Sequence, residues 1–175
     1  MTTGRELKRQ DIDRIWSIDR SEEIGAIYYY EHGELVLKPE VYHMHSWPPG
    51  EVEKYTALLE ECFNRGGWFY GLFDHDRMVG VAVLEQQFIG KTRDLLQLKF
   101  MHVGNGYRNM GLGKKLFDLA KDEAKQRGAK GLYISATPSE NTIQFYLHQG
   151  CQVTAEPDPQ LFELEPEDIH LVYAL

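Results

Sequence analysis

The stretch Gly106-Tyr-Arg-Asn-Met-Gly-Leu-Gly-Lys-Lys-Leu116 decides how this chain is read. An arginine and two glycines stand before a run with helical spacing. Leu112, Leu116, Leu119, Ala120 and Ala124 form one apolar stripe and Gly128 closes it, so a helix is expected from Gly111 to Arg127. Upstream, Leu95 to Val103 reads as a strand, which places the quoted stretch at a strand-to-helix turn. The first turn of such a helix carries N–H groups without helical partners, and the macrodipole favours anions there. Gly111 and Gly113 lack the side chains that would hold a bulky anion away, while Arg108 and Lys114 add positive charge. That set suits a pyrophosphate.

Other phosphate loops fit less well. The Walker pattern ends in Gly-Lys-Ser/Thr, and here Gly113-Lys114 is followed by Lys115, so the Mg²⁺-binding hydroxyl is missing. A dinucleotide fingerprint needs GxGxxG; Gly104 and Gly106 supply its first two glycines, but position 109 is asparagine. Taken alone, the glycines also fit a tight turn and nothing more.

Working outward, Leu132 to Ala136 reads as a strand joined to Leu95–Val103 by the helix, so the two should run parallel. Asn141 to Gln149 reads as a second helix ended by Gly150, and Cys151–Ala155 and His170–Ala174 as the last strands. The acidic, Pro-rich EPDPQLFELEPED between them reads as an exposed loop. Before the glycine stretch, Trp68–Phe73, a turn at Asp74–Arg77, Met78–Phe88 and Leu95–Val103 suggest an antiparallel meander. Gln10–Asp19 and Glu51–Arg65 carry helical stripes, and Ile24–Lys38 folds into a hairpin around Glu31-His-Gly-Glu34. The whole, residues 1–175, reads as one α/β (α+β) domain around a single mixed sheet.

These residues in this order resemble the GNAT superfamily of acyl-CoA-dependent N-acyltransferases. The likeness rests on Leu98-Lys-Phe-Met-His-Val103, Arg108-Asn-Met-Gly-Leu-Gly113, Leu116, and Ser139-Glu-Asn-Thr-Ile-Gln-Phe-Tyr146 with Gly150, and is strongest from Leu95 to about Val153. The hairpin at Ile24–Lys38 looks like an addition to the family plan. The resemblance implies a mostly antiparallel central sheet with a splayed strand pair, flanked by helices. It implies that Arg108, Asn109, Met110, Gly111, Leu112, Gly113 and Lys114 wrap the pyrophosphate of acetyl-CoA, and that Met101, His102 and Val103 bond the pantetheine arm through their backbone. It implies that Tyr146 protonates the leaving thiolate. Many members carry an asparagine seven residues before that tyrosine; here the position is Ser139 and the asparagine is Asn141, so these two share the expectation of holding the arm.

The expected reaction is acetyl transfer from acetyl-CoA to a primary amine of a small molecule. The alternatives are a protein N-terminus or lysine as acceptor, or a non-catalytic acyl-CoA-binding module. Such a transfer needs a base for the amine. Glu85, late on an apolar strand, is the first candidate; its other reading is a solvent-facing strand end. His102 is the second and Asp94 the third. His43-Met-His45 lacks a third metal ligand nearby, and no metal is expected. Tyr28, Tyr29, Tyr30 and Tyr42 could line an acceptor pocket, though hairpin packing accounts for them more simply.

The rest of the composition bounds the reading. A formal net charge of -8 argues against a nucleic-acid partner and suits a cationic substrate. Cys62 and Cys151 make no disulfide framework and read as reduced core thiols of a cytoplasmic protein. The N-terminus has no signal-peptide h-region, and no apolar run reaches the ~18 residues that would make the chain a membrane protein. An exposed strand near the C-terminus would offer an edge for a homodimer.

Overall fold

A computed structural model describes residues 1–175. The strands are β1 (Thr2–Glu6), β2 (Glu22–Glu31), β3 (Glu34–Met44), β4 (Trp68–Asp74), β5 (Arg77–Ile89), β6 (Leu95–Val103), β7 (Gly131–Ala136), β8 (Gln152–Val153) and β9 (Ile169–Ala174). The α-helices are α1 (Glu51–Asn64), α2 (Leu112–Gln126), α3 (Glu140–His148) and α4 (Pro159–Leu164). A 3₁₀ helix covers Arg9–Ser17. One sheet has the order β1-β4-β5-β6-β7-β9-β8, and β2 with β3 forms a separate ribbon.

The meander β4–β5–β6 is antiparallel as its turns require, and β6 and β7 run parallel across α2. Two cores lie on the two sides of the sheet. On one side, Leu116, Phe117, Ala120 and Ala124 of α2 meet Leu72, Leu84, Leu96, Leu132 and Ile134, with Ile143 and Tyr146 of α3. On the other, Ile12, Ile15 and Ile18 join Leu59 and Cys62 of α1 against Phe69, Val81, Val83 and Phe100. Each fully buried Leu, Ile or Phe contributes about 1.5–3 kcal/mol. Cys62 and Cys151 are buried free thiols.

The structure differs from the sequence expectation in four places. Gln10–Asp19 was expected to be α-helical, but Ile12, Ile15 and Ile18 recur every third residue, which suits the three-residue turn of a 3₁₀ helix. Thr2–Glu6 forms β1 on the free edge of β4 without any hydrophobic alternation of its own. The segment expected as a loop contains α4, whose N-cap Asp158 accepts from the N–H groups of Gln160 and Leu161, with Pro159 at the first helical position. Finally, β9 lies between β7 and β8, so the edge toward the C-terminus is the two-residue β8 and the opposite edge is β1.

The hairpin is longer than expected. It docks on the turn before α3, where the Tyr28 N–H donates to the Pro138 carbonyl and Ile27 bridges to Ser139.

Candidate active site

The pairing of β6 with β7 stops early. Leu95, Leu96 and Gln97 pair with Gly131, Leu132 and Tyr133, and beyond that point β6 is bonded only to β5 on its other side. From Leu98 to Val103 the edge facing β7 is open, a gap of about 20 Å at the usual strand rise. Met101 and Val103 turn toward the α2 core and His102 toward the α1 side. At Lys99 the register with β5 slips by one residue: Leu84 pairs with Leu98, and Val83 with Phe100. That bulge bends β6 just past its last bond to β7.

The gap opens at Val103 onto the start of α2. Asn109 and Gly111 are left-handed, with φ of 62° and 78°. No backbone N–H from Asn109 to Lys114 finds an acceptor within the chain; the first helical bond is Lys115 N–H to the Gly111 carbonyl. A Cβ built on Gly111 would meet nothing within 4 Å, so space stands open above these donors. Gly113 serves a different need: a Cβ there would lie 3.2 Å from the Phe145 ring, so this glycine lets α2 approach α3. Arg108 donates to the Val103 carbonyl at 3.2 Å and stands 4.0 Å from Glu22. Lys114 pairs with Asp118 at 2.6 Å, and Met110 is exposed. Unsatisfied, converging N–H groups at a helix start, with Arg108 and Lys114 beside them, fit a pyrophosphate.

Tyr146 lies on the α2 side, 6% exposed, edge-on to Phe117 and Phe145. Its hydroxyl makes no hydrogen bond, and burial raises its pKa well above the ordinary phenol value. Ser139 is 1% exposed beneath the hairpin and donates its hydroxyl to Thr142 Oγ1 at 2.9 Å, whereas Asn141 points to solvent.

The expected bases are scattered. Glu85 is 5% exposed; Arg65 donates to its two oxygens at 3.3 and 2.7 Å, the Gln86 N–H at 2.9 Å, and Lys99 Nζ stands 3.6 Å away. Although burial pushes Glu85 up, the Arg65 hydrogen bonds and the Lys99 charge leave its pKa below the ordinary value. His102 sits against Trp47 and Phe100, ring centroids 4.9 and 4.5 Å away. Burial, with Arg20 and Arg108 nearby, pushes it down to about 3. Asp94 lies just before β6, where its carbonyl accepts from Lys130. His43 pairs with Glu23 on the hairpin surface. Tyr28 meets Gln144 and is buried in the α2-side core, Tyr29 and Tyr42 both donate to Glu40, and Tyr30 is exposed.

A small cavity lies on the α1 side, at the closed end of the gap, about 30 Å³ in volume. That holds a group the size of a water or an ammonium. Gln97 and Lys99 of β6, Ser135 of β7, Tyr55 of α1, and Glu165 and Asp168 after α4 line it. Glu165 accepts from Tyr55 and from Lys54 at 3.1 Å, and Asp168 accepts from Ser135 at 2.9 Å. Burial, with Glu165 and Glu51 close by, raises Asp168 to about 6. Sequence reasoning missed Tyr55, Ser135, Glu165 and Asp168, which come from three distant segments.

Comparison with known proteins identifies the family. A family model described as the Acetyltransferase (GNAT) family matches residues 35–151, well over half of the chain. A putative streptothricin acetyltransferase from Bacillus anthracis, solved in complex with acetyl coenzyme A, superposes with a TM-score of 0.71 at 20% identity, covering 100% of this chain and 98% of that one. Nourseothricin acetyltransferase superposes at 0.70 with 17% identity, over 98% and 95% of the two chains. The PaiA N-acetyltransferase from Thermoplasma acidophilum, in complex with coenzyme A, superposes at 0.65 with 15% identity, over 100% and 99%. No helix here is long and apolar enough to cross a membrane.

Proposed function

The chain belongs to the GNAT family of acetyltransferases, with acetyl-CoA as the acetyl donor, and from that premise we propose that it acetylates a primary amine of a small cationic molecule. The observation that carries the acceptor class is the cavity at the closed end of the β6–β7 gap. Glu165 and Asp168 line it and Glu51 lies near; with Glu85 these four carboxylates outnumber the neighbouring cations Lys54, Lys99 and Arg65. A local surplus of carboxylates attracts cations. The fold is shared with proteins named nourseothricin and streptothricin acetyltransferase, in keeping with a small-molecule acceptor.

On the donor side, the N–H groups from Asn109 to Lys114 receive the pyrophosphate, with Arg108 and Lys114 beside them, and the open edge of β6 from Met101 to Val103 receives the arm. For Ser139 and Asn141, at the start of α3, the reading keeps the part in holding the arm that the family resemblance implies. Tyr146 supplies the proton to the departing thiolate. Its raised pKa keeps the phenol protonated at neutral pH. A thiolate forming in the same apolar surroundings is a stronger base than in water, so the transfer is not opposed. Glu85, held in its charged form by Arg65 and Lys99, is a weak proton acceptor, and its role here is to neutralise Lys99.

Isothermal titration with acetyl-CoA tests the donor site: the wild type binds and Gly111→Glu, which fills the open space with a repelling carboxylate, does not. Thiol release with a panel of amines then tests transfer, and Tyr146→Phe should lower kcat about 100-fold with acetyl-CoA affinity unchanged. A folded wild type that binds no acetyl-CoA defeats this reading, and full turnover by Tyr146→Phe removes the acid role.

A further inference from the structure

An acceptor amine arrives as an ammonium and must lose a proton before it can attack; identifying where that proton goes rests on the acetyl-transfer reading above. We propose that Asp168 takes it, acting as the base of the reaction from its place on the cavity beside Ser135.

The position follows from the strands. The last bonds between β6 and β7, at Gln97 and Tyr133, form the floor of the gap, and an arm entering from Val103 ends there. Leu132, Ile134 and Ala136 of β7 face the α2 core, so Ser135 faces the other way, toward α1. Its hydroxyl donates to Asp168 at 2.9 Å, fixing the carboxylate at the cavity wall. Tyr146 stands on the α2 side. The group that removes a proton from nitrogen and the group that gives one to sulfur therefore flank the gap from opposite faces of the sheet.

The other carboxylates are occupied. Glu85 is paired with Arg65 and Lys99, and Glu165 with Lys54 and Tyr55. Asp168 has no cation within ion-pairing distance; its one hydrogen bond comes from Ser135. Around it stand Glu51, Lys54 and Tyr55 from α1, Gln97 and Lys99 from β6, Ser135 from β7 and Glu165 ahead of it, while His170, two residues on in β9, is hydrogen-bonded to Tyr133. Burial and the two glutamates raise it to about 6; Ser135 and Lys54 act the other way. A carboxylate poised there is ionised at neutral pH yet basic enough to accept a proton.

The step balances. The ammonium gives one proton to Asp168. The neutral nitrogen attacks the thioester carbonyl, a C–N bond forms and the C–S bond breaks. Asp168 passes its proton to solvent, Tyr146 gives its proton to the thiolate, and the second proton shed by nitrogen restores the Tyr146 phenol through water, so the net release is one proton to solvent.

The test uses the full chain with acetyl-CoA and five acceptor probes: putrescine, spermidine, lysine, kanamycin and an N-terminal peptide. The fastest probe is taken through a pH series. The wild type should lose kcat/KM as pH falls through about 6, the region of the Asp168 ionisation. Asp168→Asn should lower kcat about 100-fold or more, abolish that limb, and leave acetyl-CoA affinity unchanged, while Asp168→Glu recovers part of the rate. Ser135→Ala should move the limb to higher pH, because the lost hydrogen bond stabilised the charged carboxylate. A purely structural role would shift Tm and leave the limb in place, which overturns the proposal. So does turnover by Asp168→Asn within threefold of wild type, or no turnover of any probe by protein that still binds acetyl-CoA. Loss of acetyl-CoA binding by the wild type is the separate failure of the donor reading and takes this one with it.

Discussion

Replacing Glu85 by glutamine separates a structural charge from a catalytic one. Glu85 accepts from Arg65 at 2.7 and 3.3 Å and from the Gln86 N–H at 2.9 Å, and faces Lys99 at 3.6 Å. The amide keeps the shape but removes the negative charge. Arg65 and Lys99, whose side chains are 34% and 12% exposed, are then left facing one another. Removing one side of a buried pair costs about 3–5 kcal/mol, and Arg65 can rehydrate, so about 2–3 kcal/mol applies here. At about 2–4 °C per kcal/mol for a chain of this size, Tm should fall by about 4–12 °C. Because the folded-state pKa of Glu85 is lowered, its contribution is full above the ordinary carboxylate pKa and fades as pH drops through the folded value. The stability gap between wild type and variant should therefore narrow below about pH 4. Circular-dichroism melts across pH measure the gap, and thiol release at saturating substrates should show kcat reduced less than tenfold. An unchanged Tm with a 100-fold loss of kcat would refute the reasoning and return Glu85 to the role of base.

The two glycines of the loop should respond differently to alanine. Gly111→Ala forces a side chain to φ near 78° at a cost of about 1–2 kcal/mol and fills the open space, so calorimetry should show acetyl-CoA bound at least tenfold more weakly. Gly113→Ala crowds the Phe145 ring at 3.2 Å, costing about 1–3 kcal/mol in thermal unfolding with affinity held within threefold; equal affinity losses would contradict the division. Asp11 is gripped by Arg5 at 2.9 and 3.1 Å, by Arg14 at 3.3 Å and by the Lys8 N–H at 2.8 Å, which hold its carboxyl far below the usual range. Asp11→Asn should cost about 1–3 kcal/mol in urea unfolding at pH 7, and the difference should shrink as pH falls below about 4, because a lowered pKa gives stability that is present above the unfolded value and lost on acidification.

Most of the framework around the proposed donor site was legible because its signals are local. The apolar stripe of α2, its Gly111 start and the strands around it lie within one continuous stretch, and each feature is set by neighbours a few residues away. The 3₁₀ helix misled because an i, i+3 repeat satisfies two helix types until packing chooses. β1 was silent because an edge strand needs a free neighbour and not a hydrophobic face, and only β4 supplied the reason for it. α4 did carry a signal, Asp158-Pro159 as cap and first residue, but the surrounding acids and prolines hid it.

The cavity proposed for the acceptor was not legible, and the reason is topological. Tyr55, Lys99, Ser135 and Asp168 meet only after β6 has crossed to β7 and β9 has returned beside it, so no window of sequence holds the cavity. Yet its cause leaves one trace. In Leu96-Gln-Leu-Lys-Phe-Met-His-Val103 the apolar residues facing the α2 core are Leu96 and Leu98, then Met101 and Val103. The phase slips by one between them, at Lys99, and a strand with period two can slip only through a bulge. The bulge lets both core faces stay apolar while β6 bends away from β7, and the bend creates a gap whose floor is Gln97 and whose α1-side wall carries Asp168. On the proposed reading, the same irregularity opens the sheet to the donor's arm and sets the depth at which the acceptor meets it.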